Sequence, residues 1–477
     1  MSPDLKTIFR NEKVGAAGFF LAVLLSRIPF LFSGFGLDGD SWAVAITAMN
    51  LHQSGTYIVS RLPGYPVHEW LSSLVISGGP FAVNFITALV SSVGFLFFLF
   101  TLKALRFRSV YLASFALAAV PVVYIHSTTT IDYNFALAFI LIAFYFVIKG
   151  NPIVAGLFLG LAIGSRITSG AMLLPFAILL AKSEGVKNNL NRILKLSIPA
   201  IIIGMLAYIP VFKQYGFGFF TYYDVPYPSI PKVLYKFSVE VWGVLGFLSL
   251  VVAIILMFLP VRASAKKYLF PRSVNERFVI AWLVAVDLYI IAFLKLPMES
   301  GYLIPMVPFV LMIFGKYLYE RAFNFLCVCL ILSPFVFNIS PSERFDASSP
   351  SAISFHFNTG GEDLVFDVLK GPVLSYNSRR RNGMQFSKEV LSMTDSVSRR
   401  SVIVAGRWYN QLVAENGDTL RKNVVFRSYL DEDAVVKYFA KGYQIYYMPK
   451  QDYYNQVMRN VDLHVYGAVP FILETRF

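Results

Sequence analysis

The sequence predicts an α-helical polytopic membrane protein carrying a separate C-terminal soluble α/β domain, and three observations lead there. Of 477 residues, 56% are hydrophobic and only 15% charged, with a mean hydropathy of +0.59, whereas soluble domains are about a quarter charged. Apolar runs of spanning or near-spanning length recur from residue 14 to residue 337. Beyond them the chain turns polar, and strand-like and helix-like segments alternate.

The first apolar run, 14–34, is long enough to cross a bilayer and lacks a small-x-small cleavage site, so it reads as an uncleaved first helix. Further runs follow at 80–101, 110–125, 134–148, 152–164, 169–181, 196–212, 241–260, 278–296, 302–315 and 322–337, giving about eleven helices. Basic residues fall on alternate connections: Lys6, Arg10 and Lys13; Lys103, Arg106 and Arg108; Lys182, Lys187, Arg192 and Lys195; Arg262, Lys266, Lys267, Arg272 and Arg277; Lys316 and Arg321. The positive-inside rule makes these cytoplasmic, with the N-terminus. The opposite connections hold Asp38, Asp40 and Glu69, then Asp132, then Asp224 and Glu240, then Glu299. Candidate acids thus gather on the external side of an inner or plasma membrane.

A net charge of +14 raises the question of nucleic acid, but the Lys and Arg are scattered between apolar runs as loop charges are, so no nucleic-acid partner is expected. Cys327 and Cys329 sit inside an apolar run and read as packing residues.

Residues 1–337 therefore form the membrane domain, the Ser-, Pro- and Gly-rich stretch 338–361 a linker, and 362–477 a water-facing domain. In the last, "SVIVAG", "NVVFRSY", "YQIYYMP" and "VYGAVPFIL" are strand-like, and "DEDAVVKYFAKG" is a helix with Asp431 as its N-cap. Alternation predicts a small parallel sheet. An odd number of spans puts it outside, on the periplasmic side. "SRRRNG", 378–383, reads as a solvated turn, and "AGRWYNQL" lacks the glycine spacing of a dinucleotide site.

The first external loop carries the most chemistry. In "GLDGDSWAVAITAMNLHQSGTY", 36–57, a short surface helix starts at Asp40 or Ser41 and stops at Ser54-Gly55. "YIVSRLPGYPVHEWLSSLVISGG" then turns at Pro63, Gly64 and Pro66 before a second, Trp-bearing helix returns to the interface. The order of spanning helix, surface helix, turn, surface helix and spanning helix resembles the first external loop of the GT-C glycosyltransferases, especially lipid A aminoarabinose transferases and protein O-mannosyltransferases. Matching features are Asp40, Met49, Ser54-Gly55, Arg61, Gly64 and Pro66. "HSTTTIDYNFALAF" with Asp132, "GLFLGLAIGSRITSGAMLLPFAILL" with Arg166, and the Tyr-Leu-x-Pro-x-x-Pro of "ESGYLIPMVPF" with Tyr302 are similar to later segments of the family. One feature departs: where relatives often have a basic residue before that Tyr, this chain has Gly301, leaving Arg61 or Arg166 to supply the charge.

The resemblance implies a GT-C-like membrane domain that takes a polyprenyl-phosphate sugar from the lipid and transfers it, with inversion, to a glycan, lipid or protein acceptor. Asp40 would be the general base toward the acceptor hydroxyl, and an Arg would stabilise the departing phosphate. The substrate-binding set is then Asp38, Arg61, His68, Glu69, Asp132, Arg166, Glu299 and Tyr302. Each residue also has a plainer reading. Asp38 or Asp40 serves as a helix cap, and the Asp-x-Asp pair leaves a divalent metal, Mg or Mn, open without requiring a cofactor. Asp132 suits a helix N-terminus, Arg166 a snorkelling hairpin tip, His68 and Glu69 a polar interfacial face, and Glu299 a pair with Lys295. The aromatic loop of Tyr222, Tyr223 and Asp224 reads as an interface anchor. A transporter or flippase for a lipid-linked sugar and a non-catalytic envelope scaffold are the competing readings; no duplicated halves favour the former.

Overall fold

The computed structural model describes residues 12–183, 185–220, 227–259, 269–271, 273–341, 351–359, 362–416 and 423–472. Every apolar run read from the sequence coincides with helix. Six stretches are long and apolar enough to cross a membrane, Glu12–Phe30, Pro66–Ala104, Val186–Gly218, Val239–Phe258, Glu276–Lys295 and Ser300–Tyr317, and between them lie the shorter apolar helices Val110–Ala119, Tyr133–Ile148, Pro152–Ser165 and Ile167–Leu180. The chain is a multi-pass membrane protein. The run at 110–125 is split into Val110–Ala119 and Pro121–His126. Pro121 forces the split, because the residue before a proline is driven out of the helical region and Val120 takes ψ 127°.

Small residues let these helices approach closely, as lipid-embedded helices require. A side chain added at Gly94 would stand 2.5 Å from the Ala138 Cα, so the Gly79–Ala104 and Tyr133–Ile148 helices meet backbone to backbone there. Cys327 and Cys329 are free and buried in the Glu320–Leu332 helix, as packing residues.

Beyond the last helix, β1 (Asn338–Pro341), β2 (Ser354–Thr359) and β3 (Glu362–Asp367) form an antiparallel sheet in the order β1-β3-β2. Strand pairing thus begins inside the stretch expected as a linker, because Asn338 to Pro341 pair in register with Asp367 to Leu364. The predicted parallel sheet is present: β4 (Ser401–Val404), β5 (Val424–Arg427), β6 (Gln444–Tyr447) and β7 (Val469–Pro470) lie in the order β5-β4-β6-β7, all parallel. Asp431 caps the Glu432–Ala440 helix, its carboxylate accepting from the Ala434 N–H at 2.9 Å.

Two local expectations are corrected. The "SRRRNG" run is not a turn but the middle of the Pro372–Thr394 helix. That helix buries Val373, Asn377, Arg380 and Gly383, a spacing of three and four, with Arg380 toward the membrane body and Gly383 against Trp408 of the C-terminal region. The first surface helix spans Gly39–Ser54, with Asp38 rather than Asp40 in the N-cap position. It does not lie open on a surface. Trp42, Ala45 and Ala48 pack with Phe35 and Val83 on one side and with Ala414 of the C-terminal region on the other. "AGRWYNQL" supplies that cover: its Tyr409–Asn416 helix rests on the Gly39–Ser54 helix, and Asn410 donates to the Gly39 carbonyl at 2.9 Å.

Candidate active site

The turn after the first surface helix is shaped by its own residues. Gly55 ends the helix in the left-handed region at φ 67°, and Gly64, at φ 92°, bends the loop just before Pro66 opens the next helix. Glu69, fully buried one turn into that helix, reaches back to fix the loop. Its carboxylate accepts from the Ser60 N–H at 3.0 Å, from the Tyr65 N–H at 3.3 Å and from the Tyr57 hydroxyl. The loop so held presents Arg61.

Arg61 joins two acids from different parts of the chain. Its Nε lies 3.1 Å from Asp40 Oδ2 and its Nη2 2.7 Å from Asp132 Oδ1, while Arg166 Nη1 takes the other Asp132 oxygen. Exposure is graded along the row: the Asp40 side chain is 45% exposed, Arg61 12%, Arg166 5% and Asp132 0%. Burial by itself would raise the Asp132 carboxyl, but Arg166 and then Arg61 hold it below the ordinary carboxylate range. The buried acid is charged, and each of its oxygens is paired.

Aromatic rings wall the two guanidiniums. Arg61 lies 4.1 Å over Tyr65; Arg166 lies 4.0 Å over Tyr133 and 4.6 Å over Tyr302. Gly301 belongs to this wall, because a Cβ there would stand 2.6 Å from the Tyr133 ring. The missing basic residue before Tyr302 thus has a steric reason, and the charge on this side comes from Arg166. Arg61 Nη1 is buried and has no hydrogen-bond partner among the described residues. A buried cationic donor left open in this way is suited to an anion.

The remaining predicted residues divide. Asp38 turns away from Asp40: the Tyr376 hydroxyl donates to its Oδ2 at 3.4 Å, and it lines a polar cavity with His126, Glu240, Glu299 and Arg379. Burial pushes the Asp38 carboxyl up, against the pull of His126. In the same cavity Glu299 is pushed up to about 8, first by burial and then by Asp38. Glu299 therefore faces the cavity rather than pairing with Lys295. Among the described residues no group of three or more His, Cys, Asp or Glu side chains is placed to hold a metal ion. His68 is fully buried with its ring edge-on to Phe135 at 4.6 Å, and Glu69 is spent on the loop. Tyr222, Tyr223 and Asp224 lie outside the described residues.

Sequence reasoning missed three residues. Asn84 donates to the carbonyls of Leu31 and Gly34 at 2.9 and 2.8 Å, and Tyr376 and Arg380 reach the segment of Gly34 to Asp38 from the C-terminal region. The last two sit on the Pro372–Thr394 helix, whose middle carries the charge of a solvated turn, and their partner segment lies some 340 residues earlier.

The architecture matches solved structures. ArnT from Cupriavidus metallidurans in the apo state is similar over 94% of this chain and 95% of its own, with a TM-score of 0.50 and 12% identity. The same enzyme bound to undecaprenyl phosphate aligns over 93% and 95% at a TM-score of 0.49 and 13% identity. An Archaeoglobus fulgidus oligosaccharyltransferase tethered with an acceptor peptide aligns over 84% of this chain and 63% of its own, at a TM-score of 0.42 and 11% identity. No family model and no curated protein sequence matches the chain. The chain thus shares the fold of that ArnT, as expected of a GT-C-like architecture.

Proposed function

We propose that this chain is a GT-C glycosyltransferase that moves a sugar from a polyprenyl-phosphate carrier to an acceptor hydroxyl at the external face of the membrane. One observation carries the reading: a half-exposed carboxylate, Asp40, tied through Arg61 to the buried pair Asp132 and Arg166.

Asp40 is the general base. As the acceptor oxygen attacks the anomeric carbon, its proton passes to the Asp40 carboxylate, and the carbon–oxygen bond to the phosphate breaks with its electron pair leaving on the phosphate. Attack from the face opposite the leaving group inverts the anomeric centre. Arg61 orients Asp40 through Nε, and its open Nη1 is the donor offered to the departing phosphate. Asp132 and Arg166 keep Arg61 from turning, and Tyr65, Tyr133 and Tyr302 keep water from the guanidiniums. The cavity of Asp38, His126 and Glu299 is the polar space where sugar or acceptor hydroxyls find partners.

The test is transfer by purified protein from a panel of polyprenyl-phosphate sugars, with and without chelator, followed by release of free polyprenyl phosphate. Release that depends on Asp40 supports the enzyme. Unchanged release in Asp40→Asn, or movement of the intact lipid-linked sugar across a vesicle wall without cleavage, would return the question to a flippase or a scaffold.

A further inference from the structure

Arg380 lies on the Pro372–Thr394 helix of the C-terminal region and is 2% exposed, yet among the described residues its donors go to backbone carbonyls outside its own region. Nε donates to the Ser33 carbonyl at 3.0 Å, Nη2 to Gly34 at 2.7 Å, and Nη1 to Phe30 at 2.9 Å and Thr128 at 3.2 Å. These four carbonyls belong to the two segments that deliver the candidate site. Phe30 to Gly34 lead into Asp38 and Asp40; Thr128 stands four residues before Asp132.

We infer that Arg380 is a positioning residue for the proposed reaction: by gripping both segments at once, it sets Asp40 at the distance from Arg61 and Asp132 that the site requires. The inference rests on the function proposed above.

Three neighbouring contacts run the same way. The Tyr376 hydroxyl accepts from the Leu37 N–H at 3.2 Å while facing Asp38, and Asn410 binds the Gly39 carbonyl. Gly34, at φ 73°, is packed so closely that a Cβ would stand 2.6 Å from the Met384 sulfur. From the membrane side, Asn84 holds the Leu31 and Gly34 carbonyls. The segment before Asp40 is therefore fastened on two sides, and one of them belongs to the C-terminal region. Only a planar fork of donors reaches four carbonyls on two chain segments; an ammonium does not. Burial lowers the Arg380 guanidinium to about 10, so it is still charged at neutral pH.

Two measurements on the full chain in detergent test this, one of them independent of catalysis. In a background with Cys327 and Cys329 replaced by alanine, Leu37→Cys reports the order of the segment by its rate of reaction with a charged maleimide, and Lys441→Cys serves as the distant control. Arg380→Lys is expected to raise the rate at position 37 at least tenfold and leave position 441 within twofold; Arg380→Gln is the second variant should the lysine protein fail to fold. In the second measurement, Arg380→Lys lowers the transfer kcat at least tenfold in the native background and no more than twofold on top of Asp40→Asn, since a residue acting through Asp40 has nothing left to position. A general loss of structure would cost the same factor in both backgrounds. Unchanged labelling at position 37, or equal losses in the two backgrounds, overturns the inference. A chain that transfers no sugar from any donor overturns the function, and the labelling result then still decides whether Arg380 orders the segment.

Discussion

Arg61 and Asp132 meet at 2.7 Å across 71 residues of sequence, on a carboxylate whose other oxygen is held by Arg166. This contact links the loop after the first apolar helix to the segment that opens the Tyr133–Ile148 helix, and the behaviour of the site follows from it.

Replacing Asp40 by Asn removes the proton acceptor while keeping the shape. Transfer should fall by roughly 10²–10⁴-fold. Stability should hardly change, because a pair with a half-exposed partner contributes less than about 1 kcal/mol. Turnover and thermal unfolding measured on the same preparation check both halves; a loss of activity that tracks a loss of folded protein would count against the base.

Asp132→Asn acts in the opposite way. It leaves two buried guanidiniums without their shared anion, and a cost of about 3–5 kcal/mol is expected. Asp132 also predicts a pH dependence. Its folded carboxyl lies below its unfolded value of about 3.9, so its stabilisation is complete above that value and is lost as pH falls toward the folded one. Unfolding curves between pH 3 and 6 should show an acid-side decline that is smaller in Asp132→Asn.

Glu299 has the reverse sign. Its folded carboxyl is raised to about 8 from an ordinary 4.5, by burial first and by the charge of Asp38 next. Ionising it costs the folded state stability progressively from about pH 4.5 up to about pH 8. Glu299→Gln should therefore stabilise the protein at pH 8 by at least about 1.4 kcal/mol, one pKa unit's worth, and by little at pH 4.5. Equal unfolding midpoints for variant and parent at pH 8 would contradict this.

Gly301→Ala probes the aromatic wall. The added methyl meets the Tyr133 ring at 2.6 Å, so the ring must shift off Arg166. Overpacking of this kind costs about 1–3 kcal/mol. A lower unfolding temperature together with weaker product inhibition by free polyprenyl phosphate would fit a disturbed Arg166; an unchanged protein would mean the wall is slack.

Much of the fold was legible because membrane helices are set by local rules. A long apolar run must satisfy its backbone internally, so each such run is helical wherever it packs. Pro121, Gly55, Gly64 and Pro66 break or bend the chain through their own backbone limits. Asp431 caps a helix three residues away. At the site, Asp40, Arg61, Asp132 and Arg166 were recognisable as candidates by residue type and by resemblance. Resemblance alone sets Asp40 apart from Asp38 in the sequence; in the fold Asp38 holds the N-cap position and Asp40 the first turn of the Gly39–Ser54 helix, and their side chains meet different partners. The three arginines 379–381 were read as a solvated turn because the charge outweighed the helical spacing of their neighbours.

The sequence by itself determined which segments are apolar and helical, where glycine and proline bend the chain and which residue types are available for chemistry, because each depends on lipid, period or backbone within a few residues. Which carboxylate meets which arginine was decided by tertiary structure alone. The contacts of Asp132 with Arg166, 34 residues away, and of Arg380 with Ser33, 347 residues away, are ion pairs and hydrogen bonds that need distance and direction, and no local preference specifies either across such separations.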